Sequence, residues 1–263
     1  MSKIKVLVHG AAGRVGQEVV KAVCQEPEMS LVGAVDLKAS GDSLALTDGS
    51  GSVPFSVDFN AMLDSCGPDV VVDFTIAKAS MPAVRAAAKR GVNLVIGTTG
   101  FSAPELDEMQ KLAEANEIGI VAAPNFALGA VLMMHLAQIA GKFIDHAEII
   151  ELHHDKKLDA PSGTAMLTAR AMAEARGKPF LPPSAGETTP SRGQTVEGIN
   201  IHSVRMPGLM AHQEVILGTA GQTLSIRHDT INRECYMPGV ILAVKAVMKQ
   251  KGFIYGLDKL LGL

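Results

Sequence analysis

The stretch Ile4-Lys5-Val6-Leu7-Val8-His9, followed at once by Gly10-Ala11-Ala12-Gly13-Arg14-Val15-Gly16, decides the fold. A short apolar run gives way to a glycine-rich turn, after which Val15, Val19, Val20 and Val23 recur at helical spacing. The pattern is strand, tight turn, helix. A helix starting on such a turn offers N–H groups without internal partners and the positive end of its dipole, which suits a pyrophosphate. Leu31 to Val35 forms a second apolar run that stops at Asp36, where a carboxylate can accept hydrogen bonds from a ribose. The glycine spacing is GxxGxxG rather than the commoner GxGxxG, so the turn alone also fits a plain tight connection. The strands around it favour a cofactor.

Working outward, Val70, Val71, Val72 and Phe74 read as a third strand, Asn93 to Ile96 and Ile118 to Ala122 as two more. Each is short and apolar throughout, as expected of strands buried on both faces of a parallel sheet. Helices are expected between them, one from Pro82 to Arg90 and one opened by Ser102 and Glu105 in capping-box spacing with Pro104 between them. Alternation of this kind predicts a doubly wound, Rossmann-like α/β domain. The pattern changes after Asn125. A long apolar helix near Gly129 to Phe143, a strand at Ala147 to Leu152 and a hairpin pairing Val215 and Leu217 with Leu224 and Ile226 predict a second α+β domain with an antiparallel or mixed sheet. Residues 177–198 read as a long irregular loop, and a helix from Pro238 to Val247 is followed by a short tail. The domains are expected at 1–126 and 127–234.

Composition excludes several classes. The 263 residues are 47% hydrophobic and 19% charged, which fits a globular chain and not a disordered one. A net charge of -3 and no run of like charges give nothing to attract nucleic acid or an anionic membrane. No apolar stretch is long enough to span a bilayer, and the chain enters its first strand too soon for a signal peptide. Cys24, Cys66 and Cys235 have no CxxC spacing, which points to a reducing cytoplasm and away from disulfides.

The segment Glu151-Leu152-His153-His154-Asp155-Lys156-Lys157-Leu158-Asp159-Ala160-Pro161-Ser162-Gly163-Thr164-Ala165 holds the second kind of site. Ser162 is placed as an N-cap, so the amides of Gly163 and Thr164 are left for an anion such as a substrate carboxylate. Two histidines and two lysines just upstream can donate protons or neutralise a second negative charge. The combination suits a small dicarboxylate. Adjacent histidines at a strand end are also consistent with idle surface residues. A metal site is not expected, because strand neighbours point to opposite faces and no HExxH or cysteine partner accompanies them. Ser162 lacks a GxSxG context, so a cap explains it better than a nucleophile.

The same segment resembles the signature of the dihydrodipicolinate reductases, E-x-H-H-x-x-K-x-D-A-P-S-G-T-A, at every defined position. The turn Gly10 to Gly16, the loop Gly97-Thr98-Thr99-Gly100, and Ala123-Pro124-Asn125-Phe126 followed by Gly129 resemble the family's cofactor segments in the same order. The resemblance implies an oxidoreductase that uses NADH or NADPH to reduce 4-hydroxy-tetrahydrodipicolinate to tetrahydrodipicolinate in the diaminopimelate route to lysine. It implies His153 as general acid, Lys157 as second proton donor or electrostatic partner, and His154, Gly163 and Thr164 as substrate-binding. It assigns Gly10, Ala11, Ala12, Gly13, Arg14, Val15, Asp36, Gly97, Thr98, Thr99, Ala123, Pro124, Asn125 and Phe126 to the cofactor. It also implies that residues 235–263 return to complete the first domain and that the second domain, besides binding substrate, assembles a homotetramer. One departure bears on cofactor choice: Asp36 is followed by Leu37 and Lys38 where several members carry an arginine, leaving Arg14 and Lys38 to meet a 2′-phosphate. A semialdehyde dehydrogenase would have no use for the His153 to Thr164 segment, and a silent nucleotide sensor would not need His153 and Lys157.

Overall fold

The computed structural model describes residues 2–182 and 190–263, and the chain divides into two compact units, 1–128 with 233–263, and 129–232. The first unit opens with β1 (Ile4–His9), α1 (Gly16–Gln25), β2 (Met29–Val35), β3 (Ser43–Ala45), β4 (Ser52–Ser56) and α2 (Phe59–Cys66). It continues with β5 (Val70–Asp73), α3 (Ala77–Ala88), β6 (Asn93–Ile96), α4 (Ala103–Ala115) and β7 (Gly119–Ala122). The second unit holds α5 (Leu128–Gly141), β8 (His146–His153), α6 (Gly163–Arg176), β9 (Gln194–Val196), β10 (Ile199–Arg205), β11 (Ala211–Thr219) and β12 (Gln222–Thr230). The chain then returns to the first unit as α7 (Met237–Val247), β13 (Gly252–Tyr255) and α8 (Leu257–Leu261).

In the first unit the sheet order is β13-β7-β6-β5-β1-β2-β4-β3, parallel except for the β3–β4 pair at one edge. Strands β5, β6 and β7 are buried at every residue, as the unbroken apolar runs require. Leu7, Val71, Leu94 and Ile120 pack with Met62, Met81, Val84 and Met109 from α2, α3 and α4. Each such side chain taken fully from water contributes about 1.5–3 kcal/mol. Helices α1 and α7 pack together and against the strands. The capping box at α4 forms as expected: the Ser102 amide donates to Glu105 Oε2 at 2.7 Å.

Three expectations need correction here. The helix expected from Pro82 starts at Ala77, with Pro82 inside α3 on its exposed side, where water can reach the carbonyl left without a donor. The short tail is a strand and a helix: Gly252–Tyr255 pairs in parallel with Gly119–Ala122 as the edge of the sheet. The strand expected to begin at Leu31 begins at Met29.

The sheet of the second unit is mixed, in the order β12-β11-β8-β10-β9, with β8 and β10 parallel and the other pairs antiparallel. Ile149, Ile199, Ile201, Val215 and Leu217 pack under Ala165, Ala169 and Met172 of α6. The expected hairpin forms, with Val215 opposite Ile226 and Leu217 opposite Leu224. Leu224, however, is 43% exposed. Helix α6 packs against β8, β9 and β10, so the edge strand β12 lies beyond its cover. The segment expected to be irregular over 177–198 includes β9, and Phe180 is buried, its amide donating to the Glu197 carbonyl at 2.8 Å. Residues 183–189 of that segment lie outside the described residues.

Candidate active site

Strands β1, β2, β5, β6 and β7 end at His9, Val35, Asp73, Ile96 and Ala122, and because they run parallel their carboxyl ends share one edge. Gly10 follows β1 with a φ of +87°, a conformation only glycine adopts freely. Its amide and that of Ala11 both donate to the Val35 carbonyl. The Gly13 amide donates to Gly10, and that of Ala12 donates to Asp36 Oδ2 at 2.9 Å. The amides of Arg14 and Val15, at the mouth of α1, have no acceptor among the described residues. A Cβ on Gly16 would sit 1.9 Å from the Gly10 oxygen, so α1 can approach the turn this closely only because residue 16 has no side chain. The Asp36 carboxylate also accepts from the Lys38 amide at 2.9 Å, while the Arg14, Leu37 and Lys38 side chains are exposed. The donors and the acid fit a dinucleotide: two free helix amides for its pyrophosphate and, some way along the edge, a half-buried carboxylate for a ribose.

Further along that edge, buried Asp73 gathers the neighbouring loops. It accepts from His9 Nδ1 at 2.8 Å, Thr98 Oγ1 at 2.6 Å, the Thr75 amide at 3.0 Å and Thr75 Oγ1 at 2.8 Å. Burial by itself would push its carboxyl up, but the bonds from His9, Thr98 and Thr75 outweigh it and hold the group below the usual aspartate range. Gly97 donates its amide to the Asp73 carbonyl, and a Cβ there would strike the Phe74 ring at 2.0 Å. Thr98 is buried and Thr99 exposed. Ala123 and Phe126 are buried, Pro124 is exposed, and Asn125 Oδ1 accepts from the Ala127 amide at 2.9 Å. All the residues expected at the cofactor therefore sit in one unit, along one sheet edge.

In the second unit His153 ends the central strand β8. Its Nδ1 donates to Glu151 Oε2 at 2.5 Å. Glu151 is fully buried and does more than that: Arg205 at the end of β10 donates Nη1 to Oε2 and Nη2 to Oε1, both at 2.8 Å, and the Ser162 amide donates to Oε1 at 3.1 Å. Burial would raise the Glu151 carboxyl, but bonds from His153, Arg205 and Ser203 bring it down to about 2 from an ordinary 4.5. Ser162 caps α6, its Oγ accepting from the Ala165 amide at 3.2 Å, so Gly163 and Thr164 occupy the first helical positions as expected. Their amides have no intrahelical partner. The structure thus ties His153 to the start of α6 through a residue to which sequence reasoning gave no role. Lys157 stands differently: its Nζ donates to Asp159 Oδ1 at 2.8 Å, and its amide donates to the His154 carbonyl. Among the described residues, no hydrogen bond joins the Lys157 or His154 side chain to that of His153. The signal for Glu151 was its place in the signature; Arg205, some 50 residues on, left none. Among the described residues no three histidine, cysteine or acidic side chains converge as metal ligands.

A parallel sheet with this turn at its carboxyl edge, joined to a second unit carrying a paired imidazole beside a helix N-terminus, defines the class of dinucleotide-dependent α/β oxidoreductases. The models of the dihydrodipicolinate reductase N-terminus and C-terminus match residues 4–126 and 129–261. The chain belongs to the dihydrodipicolinate reductase family. It is 61% identical over all 263 residues to a curated 4-hydroxy-tetrahydrodipicolinate reductase of Dehalococcoides mccartyi, with both chains covered in full. It is 47% identical to that of Moorella thermoacetica, with 99% of each chain covered. Among solved structures, a dipicolinate-bound dihydrodipicolinate reductase from Paenisporosarcina sp. TG-14 matches with a TM-score of 0.87 at 41% identity, over 98% of this chain and 99% of that one.

Proposed function

We infer that this chain reduces 4-hydroxy-tetrahydrodipicolinate to tetrahydrodipicolinate with NADH or NADPH, a step of the diaminopimelate route to lysine. The observation that carries the mechanism is the join between His153 and the α6 N-terminus through Glu151. It sets a proton donor beside amides suited to a carboxylate. The reaction adds a hydride and a proton and releases water; the reduced nicotinamide supplies the hydride. His153 delivers the proton from Nε2, because its Nδ1 proton is held by the Glu151 carboxylate. Gly163 and Thr164 bind one substrate carboxylate with backbone N–H groups, and His154 lies beside the acid as a further polar contact. Lys157 neutralises negative charge on the substrate once it exchanges Asp159 for that anion. The turn 10–15 holds the pyrophosphate, Asp36 the adenosine ribose, and the loops 97–99 and 123–126 the nicotinamide end.

The first unit is read as the dinucleotide-binding domain and the second as the domain for substrate and assembly. A homotetramer is the assembly proposed, supported by Leu224 exposed on the edge strand β12, and light scattering on the purified protein tests it. No helix among the described residues is long and apolar enough to cross a membrane. Cys24 and Cys66 are free thiols, which supports a cytoplasmic site. The deciding assay follows loss of reduced nicotinamide absorbance with substrate made in place by the preceding synthase. Absence of turnover with both cofactors would refute the reading.

A further inference from the structure

We propose that Glu151 is a positioning residue that sets which nitrogen of His153 delivers the proton and binds that imidazole rigidly to the carboxylate-binding end of α6. The proposal rests on the reading of His153 as the acid. Glu151 lies two residues before His153, on the same face of β8, and is fully buried. A carboxylate held at about 2 is ionised at any working pH and can only accept. The 2.5 Å contact therefore requires the hydrogen to be on His153 Nδ1, which leaves Nε2 as the atom that gains and loses the mobile proton.

The other groups around the carboxylate fix it in place without competing for the substrate. From β10, Arg205 spends Nη1 on Glu151 and the Val204 carbonyl, and Nη2 on Glu151 and the Asp159 carbonyl. Its Nε is buried without a partner, so the guanidinium has no exposed donor to offer a ligand there. Ser203 is the register neighbour of Glu151 on β10. From β11 the register neighbour is Gln213, which is neutral. From the 154–162 loop, Lys157 and Asp159 are paired with each other, Asp155 and Lys156 are exposed and His154 is half-buried, and at the start of α6 the Ser162 amide reaches the carboxylate. Loss of the Glu151 charge accordingly leaves Arg205, the register neighbour of His153 on β10, without its anion.

The test compares the native enzyme with Glu151→Gln and Glu151→Asp, in kcat, in the tautomer of His153 and in the Kd for NADH. In Glu151→Gln, kcat falls by roughly 10²-fold or more, because the ring is no longer held with its hydrogen on Nδ1, and the neutral His153 of the variant shows the Nε2–H tautomer in two-bond ¹H–¹⁵N spectra. Glu151→Asp keeps a carboxylate to accept from Nδ1, so the tautomer stays native while kcat falls less. The Kd for NADH is unchanged in both. A purely structural role would lower activity in both variants while His153 kept the Nδ1–H tautomer in each, and that outcome overturns the proposal. A second measurement needs no folded variant: in two-bond ¹H–¹⁵N spectra of the native protein, His153 above its titration is the Nδ1–H tautomer. An Nε2–H tautomer overturns the proposal even if turnover fails for other reasons, whereas native enzyme inactive with substrate overturns the functional reading instead.

Discussion

Arg205 grips Glu151 through two parallel hydrogen bonds, Nη1 to Oε2 and Nη2 to Oε1, each 2.8 Å long, between strands that run parallel. Because the carboxylate is wholly buried, removing the cation leaves an uncompensated charge in the interior. Arg205→Leu should therefore cost on the order of 3–5 kcal/mol, read from urea unfolding followed by circular dichroism. A loss under about 1 kcal/mol would mean that water reaches Glu151 when the arginine goes.

Acid should weaken the fold through the same carboxylate. A group whose value is lowered on folding contributes stability that is whole above its unfolded value, here near 4.5, and that disappears as the pH falls through its folded value of about 2. The contribution is on the order of 3 kcal/mol from that shift, and Asp73, also lowered, acts in the same direction. Thermal midpoints should drop between pH 4.5 and 2, and Glu151→Gln should flatten that slope while lowering the midpoint near neutrality. An unchanged slope in the variant would refute the assignment.

His153 and Lys157 should fail in different ways. His153→Gln keeps size and a donor but loses the acid, so kcat should fall by roughly 10² to 10⁴ with little change in KM. Lys157→Ala should also raise KM, since a substrate carboxylate loses a charged partner, at a cost on the order of 2 kcal/mol. Binding of NADH survives both. Near-normal turnover in His153→Gln would send the search for the proton to Lys157 or water.

Asp36 should govern cofactor choice. Its charge accepts from a ribose and repels a 2′-phosphate, with exposed Arg14 and Lys38 available to soften the repulsion. Asp36→Ala should weaken NADH relative to NADPH in kcat/KM. The change also frees the Ala12 and Lys38 amides, so some loss with both cofactors is expected. An unchanged ratio would remove Asp36 from the ribose.

The strand–turn–helix at residues 4–25 and the signature at 151–165 were legible because their information is local: glycine spacing, apolar period and cap residues lie next to one another. The Arg205 to Glu151 pairing was not, because it depends on β10 lying parallel to β8, and a run such as Ile199–Arg205 does not state its partner. The pairing of Asp73 with His9 and Thr98 was hidden similarly, by the register of three separate strands. The strand Gly252–Tyr255 has the strand-favouring residues Phe253, Ile254 and Tyr255, but its partner β7 lies about 130 residues earlier, so the local run does not state its place in the sheet. Pro82 misled in the opposite way, through a preference for the first helical turn that its exposed position inside α3 did not need.

The return of the chain at β13 sets an order of events during synthesis. Until Gly252–Tyr255 has left the ribosome, the outer edge of β7 has no neighbour on that side, and the place of α7 against β6 and β7 is empty. Residues 129–232 form a continuous stretch and can condense first, while the half made earliest waits for the segment made last. An open, wholly apolar strand edge is a hazard for pairing with another copy. Nascent chains stalled after residue 232 should thus show the later-made unit resistant to protease and the earlier-made one still cleavable, with protection of both arriving only once residue 255 emerges.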